Sequence, residues 1–599
     1  MREGRNAIGW LLLLAALALY GATINDEITA PDERQRLALA EAIAANGLGA
    51  LEDSGTVSRY PPLTSIVAAP FVGAARALGS HKPLVWGRRG AAVSSVVVCA
   101  LIVLVLFQTM RRLGYDPLAS TLVGAAFVLA NPLWPYSKRL YSEPLSALLV
   151  TAVALGLAEL GRRPRLGVSL IVGSLGLLML SAPAPAAVTG LAALAALTLA
   201  RRWRALAWSI AGLALCLAGV VAMQFLRFGK LASGYEGEKF TFEMATGLYG
   251  LVLSPGRSVF LYAPLVLLGV PGALLAWRRG QRMLPAFAML ALVGQVTLMA
   301  AWWSWHGGDC YGPRLTLAVL PAAGLLAVEL ARLRWARWLL VPITALGLYA
   351  QLLGVAFVHE YDSYLWPDAE RTATDRYDWE WAQLRRLPRD VDRARYEMSS
   401  LLLQRDDHDA TVIRGDGRPV DAVEVTQGGE SIVHKWAIAD VRVFARGRRV
   451  PTREAGLTLE PMPPLAGGGG LSAATDDDIR SGWFVGTRRD GLAVRVRLGA
   501  RVRALDRLEL VHWPYRDDFP SHVTAVAVGP NGARRPLEVV QGAPDLHMPL
   551  SFWLLVALGL GALAGAIALG VRDARERRSR RAAPAQGASS TDSSERSAV

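Results

Sequence analysis

The amino-acid sequence predicts a polytopic α-helical membrane protein of about twelve transmembrane helices with an external β-sandwich domain. Three observations carry this prediction. Of the 599 residues, 52% are hydrophobic and only 19% are charged. Apolar runs long enough to cross a bilayer recur along the chain. A single long polar segment, 359–548, separates the last two of these runs. This composition excludes an ordinary soluble enzyme, and the number of runs excludes a single membrane anchor.

The predicted spans are apolar runs of about 17 to 25 residues, the length that the hydrocarbon core requires. The first run, "IGWLLLLAALALYGATI", follows the basic "MREGR" as a signal peptide would. Because no small-residue cleavage site follows it, we interpret it as a retained helix. The predicted spans are 8–24, 90–109, 117–133, 144–160, 166–182, 184–200, 205–225, 258–277, 283–303, 315–331, 338–358 and 549–571.

Arginine clusters beside the spans predict the orientation, because cytoplasmic loops collect Lys and Arg. If the spans alternate, every cluster but one falls on the cytoplasmic side, and segments 25–89, 134–143, 226–257, 304–314 and 359–548 are external. The exception is Arg88 with Arg89. The formal net charge of +14 therefore comes from residues that orient the protein in the membrane. No nucleic-acid partner is expected. The cytoplasmic clusters are Arg2/Arg5, Arg111/Arg112, Arg162/Arg163/Arg165, Arg201/Arg202/Arg204, Arg278/Arg279/Arg282, Arg332/Arg334/Arg337 and the tail Arg572 to Arg581.

The three cysteines, Cys99, Cys216 and Cys310, are scattered along the chain, and two of them lie inside apolar runs. They are too few for a disulfide framework and too dispersed for a thiolate metal site. A packing role is expected for them.

The polar segment between the last two spans predicts a domain of its own. A charged and aromatic connector, 359–418, precedes a β-sandwich, 419–548, in which short runs such as "AVEVT", "WAIADVRVFARG", "LAVRVRLGA", "LDRLELVHW", "HVTAVAVGPNG" and "RPLEVVQG" are separated by turn residues. With Trp483 entering it, the pattern resembles a discoidin-like, carbohydrate-binding jelly roll, and a purely structural sandwich is the alternative. A last helix, 549–571, and a basic disordered tail, 572–599, follow.

The first external segment contains "NDEITAPDERQRLALAEAIAANG", which places acidic side chains just beyond the first span. Pro31 suits the first turn of a helix, and Asp32 and Glu33 complement the positive end of the helix dipole. Apolar residues then recur at helical spacing at Leu37, Ala40, Ile43 and Ala44. This pattern predicts a helix lying along the membrane interface with the acidic pair at its start.

The external motifs, taken in order, resemble GT-C fold glycosyltransferases that use a polyprenyl-phosphate sugar donor, a group that includes protein mannosyltransferase-like and aminoarabinose transferase-like proteins in a bacterial branch. The resemblance covers roughly the first 360 residues, 1–358 forming the transmembrane catalytic domain. Its motifs are "DERQRLALAEAIAANG", "RYPPLTSIVAAPFVGAARALG" from Arg59, "NPLWPYSKRLYSEPLSALL" from Asn131, "GLYGLVLSPGRSVFLYAPL" from Gly247 and "WWSWHGGDCYGPRL" from Trp302.

The resemblance implies that Asp32 is the catalytic carboxylate and that Glu143 is the acidic residue of the second external loop. Asp26 and Glu27 form a second acidic pair, so either pair could align with the catalytic carboxylate of the family. Asp32 is favoured over Asp26 because the helical pattern begins there.

Sugar transfer from a lipid phosphate requires carboxylates, cations and aromatic rings for separate physical reasons. An acceptor hydroxyl that attacks the anomeric carbon must lose a proton, which a nearby carboxylate can accept. The leaving lipid phosphate gains charge, which guanidinium groups stabilise by bidentate hydrogen bonds. Aromatic rings can stack on sugar faces. The candidate substrate- and phosphate-binding residues are Arg59, Tyr60, Arg88, Tyr136, Lys138, Arg139, Tyr249, Arg257, Trp305, His306 and Arg314, beside the acidic candidates Asp32, Glu33, Asp26 and Glu143.

Simpler interpretations stand beside these. Interfacial aromatic residues such as Tyr136 and Trp305 are most often membrane anchors. Arg139 and Arg257 could only extend toward lipid headgroups, and Glu143 could only stabilise the start of its helix. His306 with Asp309 is weak evidence for a metal site, so no metal ligands are predicted, although a divalent ion is left open.

The sequence thus predicts an inverting membrane glycosyltransferase of a bacterial inner or plasma membrane, with its active site and β domain on the periplasmic or extracellular side. Its expected partners are membrane lipid, a polyprenyl-phosphate-linked sugar as donor, and a glycan, lipid or protein acceptor of the cell envelope. No cofactor is expected. The alternative is a non-catalytic membrane transporter or a scaffold for cell-envelope polysaccharide assembly.

Overall fold

The computed structural model divides the chain into two compact units. The helical unit comprises Met1–Val355, Ala373–Arg389 and Leu550–Val599, and the β unit comprises Ala356–Thr372 and Asp390–Pro549. The residues that the structure describes are 2–24, 28, 30–52, 54–79, 83–230, 237–308, 310–357, 377, 382–389, 410–428, 435–462, 474–475, 483–487, 491–500, 502, 504–512, 522–541 and 550–582.

The helical unit is built from helices of very different lengths. In chain order they are α1 Arg2–Ala22, α2 Pro31–Asn46, α3 Leu63–Leu78, α4 Pro83–Arg112, α5 Pro117–Ala130, α6 Ser142–Glu159, α7 Pro164–Met179, α8 Pro183–Leu199, α9 Trp203–Phe228, α10 Met244–Val252, α11 Val259–Tyr262, α12 Leu265–Arg278, α13 Met283–Ala300, α14 Leu320–Gly324, α15 Val328–Ala331, α16 Leu340–Ala356, α17 Gln383–Arg386 and α19 Leu550–Ala582. Helix α18, Thr452–Ala455, belongs to the β unit.

Six helices among the described residues are long and apolar enough to cross a membrane: Trp86–Arg112, Ser142–Glu159, Trp203–Phe228, Met283–Ala300, Ala336–Ala356 and Leu550–Arg577. Seven shorter apolar helices accompany them: Ala7–Ala22, Leu63–Leu78, Pro117–Ala130, Pro164–Met179, Pro183–Leu199, Leu265–Arg278 and Leu320–Ala331. The chain is therefore a multi-pass α-helical membrane protein with a β-rich domain. The total of twelve spans stays a prediction.

Two predicted spans are not single helices. The run 258–277 is divided between α11 and α12 because Ala263, which precedes Pro264, adopts a non-helical conformation. The run 315–331 is a series of short α- and 3-10 segments rather than one helix. The external segment 25–89 contains α2 and α3, and α4 begins at Pro83. Arg88 and Arg89 consequently lie inside the first turns of a long helix and not in a loop.

The first and last helices of the unit pack together. A Cβ placed on Gly559 of α19 would lie 2.7 Å from Leu19 of α1, so a glycine is needed for this approach. On the other side of α1, Tyr20 donates its hydroxyl proton to the Val128 carbonyl of α5 at 3.1 Å. Helix α1, which leads directly to the first acidic segment, is thereby fixed from two directions.

Helix α12 packs directly on the backbone of the segment that contains α14 and α15. A Cβ on Gly269 would lie 2.2 Å from the Ala323 carbonyl oxygen, and one on Gly272 would lie 2.0 Å from that of Leu326. No side chain larger than hydrogen fits at either position without a shift of backbone. This contact fixes the helical segment that follows the loop 304–316.

Several of the arginine clusters meet around one buried carboxylate, Glu329 of α15. Glu329 pairs with Arg279 and, at 3.6 Å, with Arg332, and it accepts the hydroxyl proton of Tyr115 at 2.6 Å. Arg111 donates to the Tyr115 carbonyl. Loops that the sequence predicts on one side of the membrane therefore do converge at one end of the unit.

The described residues of the β unit form ten antiparallel strands: β1 Ala410–Arg414, β2 Ala422–Thr426, β3 Lys435–Ala445, β4 Arg448–Val450, β5 Thr458–Met462, β6 Trp483–Thr487, β7 Ala493–Arg497, β8 Arg507–His512, β9 Thr524–Val528 and β10 Arg534–Gln541. The strand order is β4-β3-β8-β1-β10-β9-β2-β7-β5, and β6 pairs with β3. Strand β1 lies within the segment that the sequence predicts as a connector, where charged residues surround the short run "ATVIR".

Alternating residues of these strands form one apolar core. Strand β2 contributes Val423 and Val425, strand β7 contributes Val494 and Val496, and the tryptophans Trp436 and Trp483 are buried among them. Glu424 points away from this core and pairs with Arg495 at 2.5 Å and with Arg534. Among the described residues, both tryptophans of the β unit therefore serve packing and neither offers an exposed platform for a sugar.

Candidate active site

Helix α2 brings the first acidic pair into the interior. Pro31 occupies the first turn, and Glu33 accepts a hydrogen bond from the Ala30 backbone N–H at 3.2 Å, which satisfies one of the free donors at the helix start. Asp32, Glu33 and Arg36 are buried together with Leu37, Leu39, Ala40 and Ile43. The predicted helix is confirmed, and its acidic end is inside the protein instead of facing solvent.

Arg314 joins Asp32 to Glu143 although the three residues come from distant parts of the chain. Its Nη2 atom lies 2.5 Å from Asp32 Oδ2, and its Nε atom lies 2.8 Å from Glu143 Oε1. All three side chains are at least 86% buried, since their exposed fractions are 14%, 12% and 11%. Three of the predicted site residues thus meet in one cluster, which we call the carboxylate–arginine cluster.

Arg36 is a second guanidinium on the same carboxylate. Its Nη1 atom lies 3.3 Å from Asp32 Oδ2, and its Nη2 atom donates to Ser142 Oγ at 3.4 Å. The guanidinium carbon lies 4.5 Å from the centre of the Tyr60 ring. Arg59 donates to the Tyr60 hydroxyl at 3.1 Å. The predicted residues Arg59 and Tyr60 therefore reach the cluster through Arg36.

Glu33 is held in a different way from its neighbour. It is fully buried, accepts the Leu140 backbone N–H at 3.0 Å, and pairs with Arg139 at 3.6 Å. These contacts join the start of α2 to the loop before α6. Glu33 and Arg139 therefore hold together two segments that the sequence predicts on the same side of the membrane, whereas Asp32 faces the other cations.

The two adjacent carboxyl groups differ in their pKa. Burial alone would raise the pKa of Asp32, but the charges of Arg314 and Arg36 prevail and lower it to about 2. Burial raises the pKa of Glu33, against the attraction of Arg139, and the charge of Asp32 adds to the rise. Asp32 is consequently ionised at any physiological pH.

Aromatic rings line the same region. Arg314 stacks on Tyr141, with its guanidinium carbon 3.7 Å from the ring centre, and the ring of Tyr136 lies 5.8 Å from that of Tyr141. The Tyr136 hydroxyl donates to the Tyr311 carbonyl at 2.5 Å. The predicted Tyr136 thus connects the loop before α6 to the loop that carries Arg314.

Two predicted phosphate ligands are bound to backbone carbonyls. Lys138 donates to the Val355 carbonyl at 2.7 Å, near the end of α16. Arg257 donates to the carbonyls of His306 at 3.2 Å and Gly308 at 3.3 Å, and to the Gln383 side-chain oxygen at 3.2 Å. Both side chains are buried, and in this structure they order loops around the cluster.

Three further predicted residues pack beside that loop. Trp305 is 2% exposed, with its ring 5.6 Å from Tyr377, and Tyr249 stacks on Tyr377 at 6.0 Å. His306 Nδ1 accepts the Gly308 N–H at 3.0 Å. Burial leaves Trp305 no free face for a sugar in this arrangement, and His306 is engaged in ordering its own turn.

Arg88 lies apart from the cluster. Its charge acts on Glu41, which also pairs with Arg76 at 3.9 Å. Glu41 lies nine residues beyond Asp32 on α2, or about 13 Å along the helix axis at 1.5 Å per residue. The alternative catalytic residue Asp26 and the possible metal ligand Asp309 lie outside the described residues, among which no group of three His, Cys, Asp or Glu side chains is placed to hold a metal ion.

Sequence reasoning missed four residues of the site. Arg36 could have been found, because its spacing of four residues from Asp32 places both on one helix face. Tyr141 and Gln383 carry no comparable signal. Arg227 at the end of α9 binds Ser54 Oγ at 2.6 Å and the carbonyls of Ser58 at 2.9 Å and Tyr60 at 3.1 Å, which fixes the loop that presents Tyr60.

Comparison with known proteins adds one solved structure. The chain is similar to a crystal structure of ArnT from Cupriavidus metallidurans bound to undecaprenyl phosphate, with 18% sequence identity and a TM-score of 0.41 over 64% of this chain and 74% of that chain. No protein-family profile matches the sequence, and no curated protein does. Because this likeness is partial, the function has to be inferred from the chain's own side chains.

Proposed function

We propose that this chain is a GT-C type membrane glycosyltransferase that moves a sugar from a polyprenyl-phosphate donor to a cell-envelope acceptor, with Asp32 as the catalytic base. The observation that carries the proposal is the buried bridge that Arg314 makes between Asp32 and Glu143, at 2.5 and 2.8 Å. A base and a phosphate-binding cation are thereby adjacent. The order of the external motifs from Asp32 to Arg314 supports the same assignment.

The chemistry follows from these two groups. Asp32 accepts the proton of the acceptor hydroxyl as its oxygen attacks the anomeric carbon. The bond between that carbon and the phosphate oxygen breaks, and its electron pair leaves with the lipid phosphate. Arg314 donates hydrogen bonds to the phosphate oxygens as their charge grows. Attack opposite the leaving group inverts the anomeric carbon.

Glu143 keeps Arg314 in place in this scheme. Its carboxylate binds Nε of Arg314, while the Nη2 atom points at Asp32. A guanidinium held at one edge can present its other edge to an incoming anion. Tyr141, against the face of Arg314, limits the directions in which that guanidinium can turn.

The distribution of charge favours an enzyme over a transporter. Transporters place ionisable groups near mid-membrane, on the path of their substrate. In this chain the interiors of helices such as α6, α9 and α13 contain no Asp, Glu, Lys or Arg. The buried charges of the carboxylate–arginine cluster lie instead at a helix start and in loops, as expected for a reaction at headgroup depth.

The test is sugar transfer by the full chain reconstituted in liposomes, with a panel of polyprenyl-phosphate sugars and cell-envelope extracts as acceptors. Three acid-to-amide variants are compared: Asp32→Asn, Asp26→Asn and Asp116→Asn. We expect Asp32→Asn to lower the transfer rate about 100-fold or more, the usual contribution of a general base. Asp116 caps α5, and asparagine caps a helix equally well, so Asp116→Asn is the matched control.

Each outcome has a clear meaning. Full activity of Asp32→Asn with loss in Asp26→Asn would move the base to the other acidic pair. Absence of transfer from every donor by the unmodified chain would contradict the enzyme assignment. The products would also identify the sugar and the acceptor.

A further inference from the structure

Arg36 is the most deeply buried of the three guanidinium groups around Asp32 and Glu33. Its side chain is 4% exposed and bonds to Asp32 and Ser142, while Tyr60 covers one face of its guanidinium. Its own backbone carbonyl accepts the hydroxyl proton of Ser65 in α3 at 2.8 Å. Residues of α2 and α6 therefore bind its guanidinium, and Ser65 of α3 binds its backbone.

Arg314 is held differently. It extends from the short 3-10 turn Arg314–Thr316, and its two ion pairs join residues of α2 and α6. Both arginines converge on the same oxygen of Asp32, Oδ2, so one of them can withdraw while the other keeps the carboxylate in an ion pair. Only Arg314 also reaches Glu143.

The charges of the cluster balance, which sets a condition for anion binding. Among the residues that the structure describes, the titratable groups around Asp32 are Glu33 and Arg36 on α2, Arg139 and Tyr141 before α6, Glu143 at the start of α6, and Arg314. With Asp32 included, three carboxylates face three guanidinium groups. A phosphate that enters must therefore take hydrogen-bond donors from a carboxylate that already holds them.

We infer that the two arginines divide this work: Arg36 is a positioning residue that keeps Asp32 ionised and oriented, and Arg314 exchanges its bond with Asp32 for the phosphate of the donor. The inference rests on the proposed function, since it concerns the same transfer. No covalent bond changes in this step. The guanidinium turns from one anion to another, and Glu143 retains its Nε.

Because of this exchange, binding of the donor increases the proton affinity of Asp32. With both arginines on Asp32 the carboxylate binds protons poorly, because its pKa lies at about 2. Departure of Arg314 removes the larger of the two attractions and raises the proton affinity of Asp32 just when the acceptor must be deprotonated.

The experiment separates the two roles by binding and by pH profile. Arg36→Gln, Arg36→Lys and Arg314→Gln are compared with Arg34→Gln, which changes an exposed arginine of the same helix. Binding of undecaprenyl phosphate is followed by tryptophan fluorescence of the reconstituted chain. We expect Arg314→Gln to weaken binding about 10-fold or more and Arg36→Gln to change it less than about threefold.

The pH profile of kcat reports the donor complex. In that complex Arg36 is the remaining ion-pair partner of Asp32 in the unmodified protein. Arg36→Gln should therefore raise the pKa of Asp32 and shift the acid limb of the kcat profile to higher pH by about one unit or more. We expect Arg36→Lys to restore most of the shift and Arg34→Gln to cause none. If Arg36→Gln only disturbed the fold, kcat would fall while the acid limb of its pH profile stayed at the same pH.

The results that overturn the inference differ from those that overturn the proposed function. Loss of undecaprenyl phosphate binding in Arg36→Gln equal to that in Arg314→Gln makes Arg36 a phosphate ligand. An acid limb of kcat that stays at the same pH in Arg36→Gln would show that Arg36 does not influence the protonation of Asp32. Either result overturns the inference alone, while absence of sugar transfer by the unmodified chain overturns the proposed function and the inference with it.

Discussion

At the residue scale, adjacent carboxyl groups acquire different tasks from different surroundings. Asp32 faces Arg314 and Arg36, whereas Glu33 accepts backbone N–H groups of Ala30 and Leu140. In the sequence Asp32 and Glu33 are adjacent, and nothing local distinguishes one from the other as the catalytic carboxylate. Their contacts make Asp32 the candidate for chemistry and Glu33 the residue that holds the start of α2 to the loop before α6.

The lowered pKa of Asp32 predicts a pH-dependent contribution to stability. Because the folded-state pKa of about 2 lies below the ordinary 3.8, the ion pairs of Asp32 stabilise the fold fully above pH 4 or so, and this stabilisation is lost as the pH falls toward 2. Asp32→Asn should therefore lower the unfolding free energy by about 2 kcal/mol at pH 7 and by about half as much at pH 3.

Thermal unfolding in detergent at pH 7, 5 and 3 measures this difference. Glu33, with its raised pKa, has the opposite pH dependence: its contribution to stability is present at low pH and is lost as the pH rises. Since the charge of Asp32 adds to that rise, Asp32→Asn also reduces this loss, and the comparison is therefore read from its change between pH 5 and pH 3. A gap between the two proteins that stays constant over this pH range would contradict the prediction.

At the element scale, a short segment far along the chain completes the site. Gln383 of α17 accepts the N–H of Gly312 at 3.1 Å and donates to the Cys310 carbonyl at 3.1 Å, while its oxygen also receives Arg257. One amide thus holds both sides of the loop that leads to Arg314. This loop has little regular structure of its own, so its shape depends on such contacts.

Gln383→Leu should release that loop. Leucine keeps the volume but leaves buried donors and acceptors without this partner, which costs on the order of 3 kcal/mol. We expect a lower unfolding temperature and a weaker binding of undecaprenyl phosphate, both measured on the reconstituted chain. Gln281→Leu is the control, because Gln281 is exposed and accepts only a 3.2 Å bond from Tyr115 at the other end of the unit. Equal effects of the two substitutions would show that the loop does not depend on Gln383.

At the scale of the whole molecule, the helical unit has two charged ends of different character. One end gathers acidic and basic side chains around Arg314, and the other gathers arginines around Glu329. The interiors of apolar helices such as α6, α9 and α13 contain no Asp, Glu, Lys or Arg. This separation is what a bilayer demands of a protein that handles charged groups at one surface.

Cysteine labelling can test which end faces outward. Leu48, 62% exposed after α2, and Arg162, exposed after α6, are replaced one at a time in a Cys216→Ser background, in which Cys99 and Cys310 are buried. In bacterial spheroplasts a membrane-impermeant maleimide should label Leu48→Cys directly and Arg162→Cys only after permeabilisation. Labelling of both sites in intact spheroplasts, or the reverse order, would contradict the predicted orientation.

The sequence alone determined the class of protein and many of its elements. Runs of apolar residues must be buried in lipid or protein, and their length does not depend on what they contact, so α1, α4, α9 and α13 were predictable. Alternation with a period of two likewise predicted strands such as β2 and β7, since each residue's face follows from its position. The start of α2 was predictable from Pro31 and the acids beside it.

Only the tertiary structure decided which charges meet. Arg314 lies 282 positions from Asp32 in the chain, and Gln383 lies 71 from Gly312, so no local pattern connects them. Lys138 and Arg257 carry the same charge as Arg314 in similar loops, yet they bind backbone carbonyls while Arg314 bridges two carboxylates. The physical reason is that helix formation depends on near neighbours in sequence, whereas an ion pair depends on distances that the packing of all helices sets together.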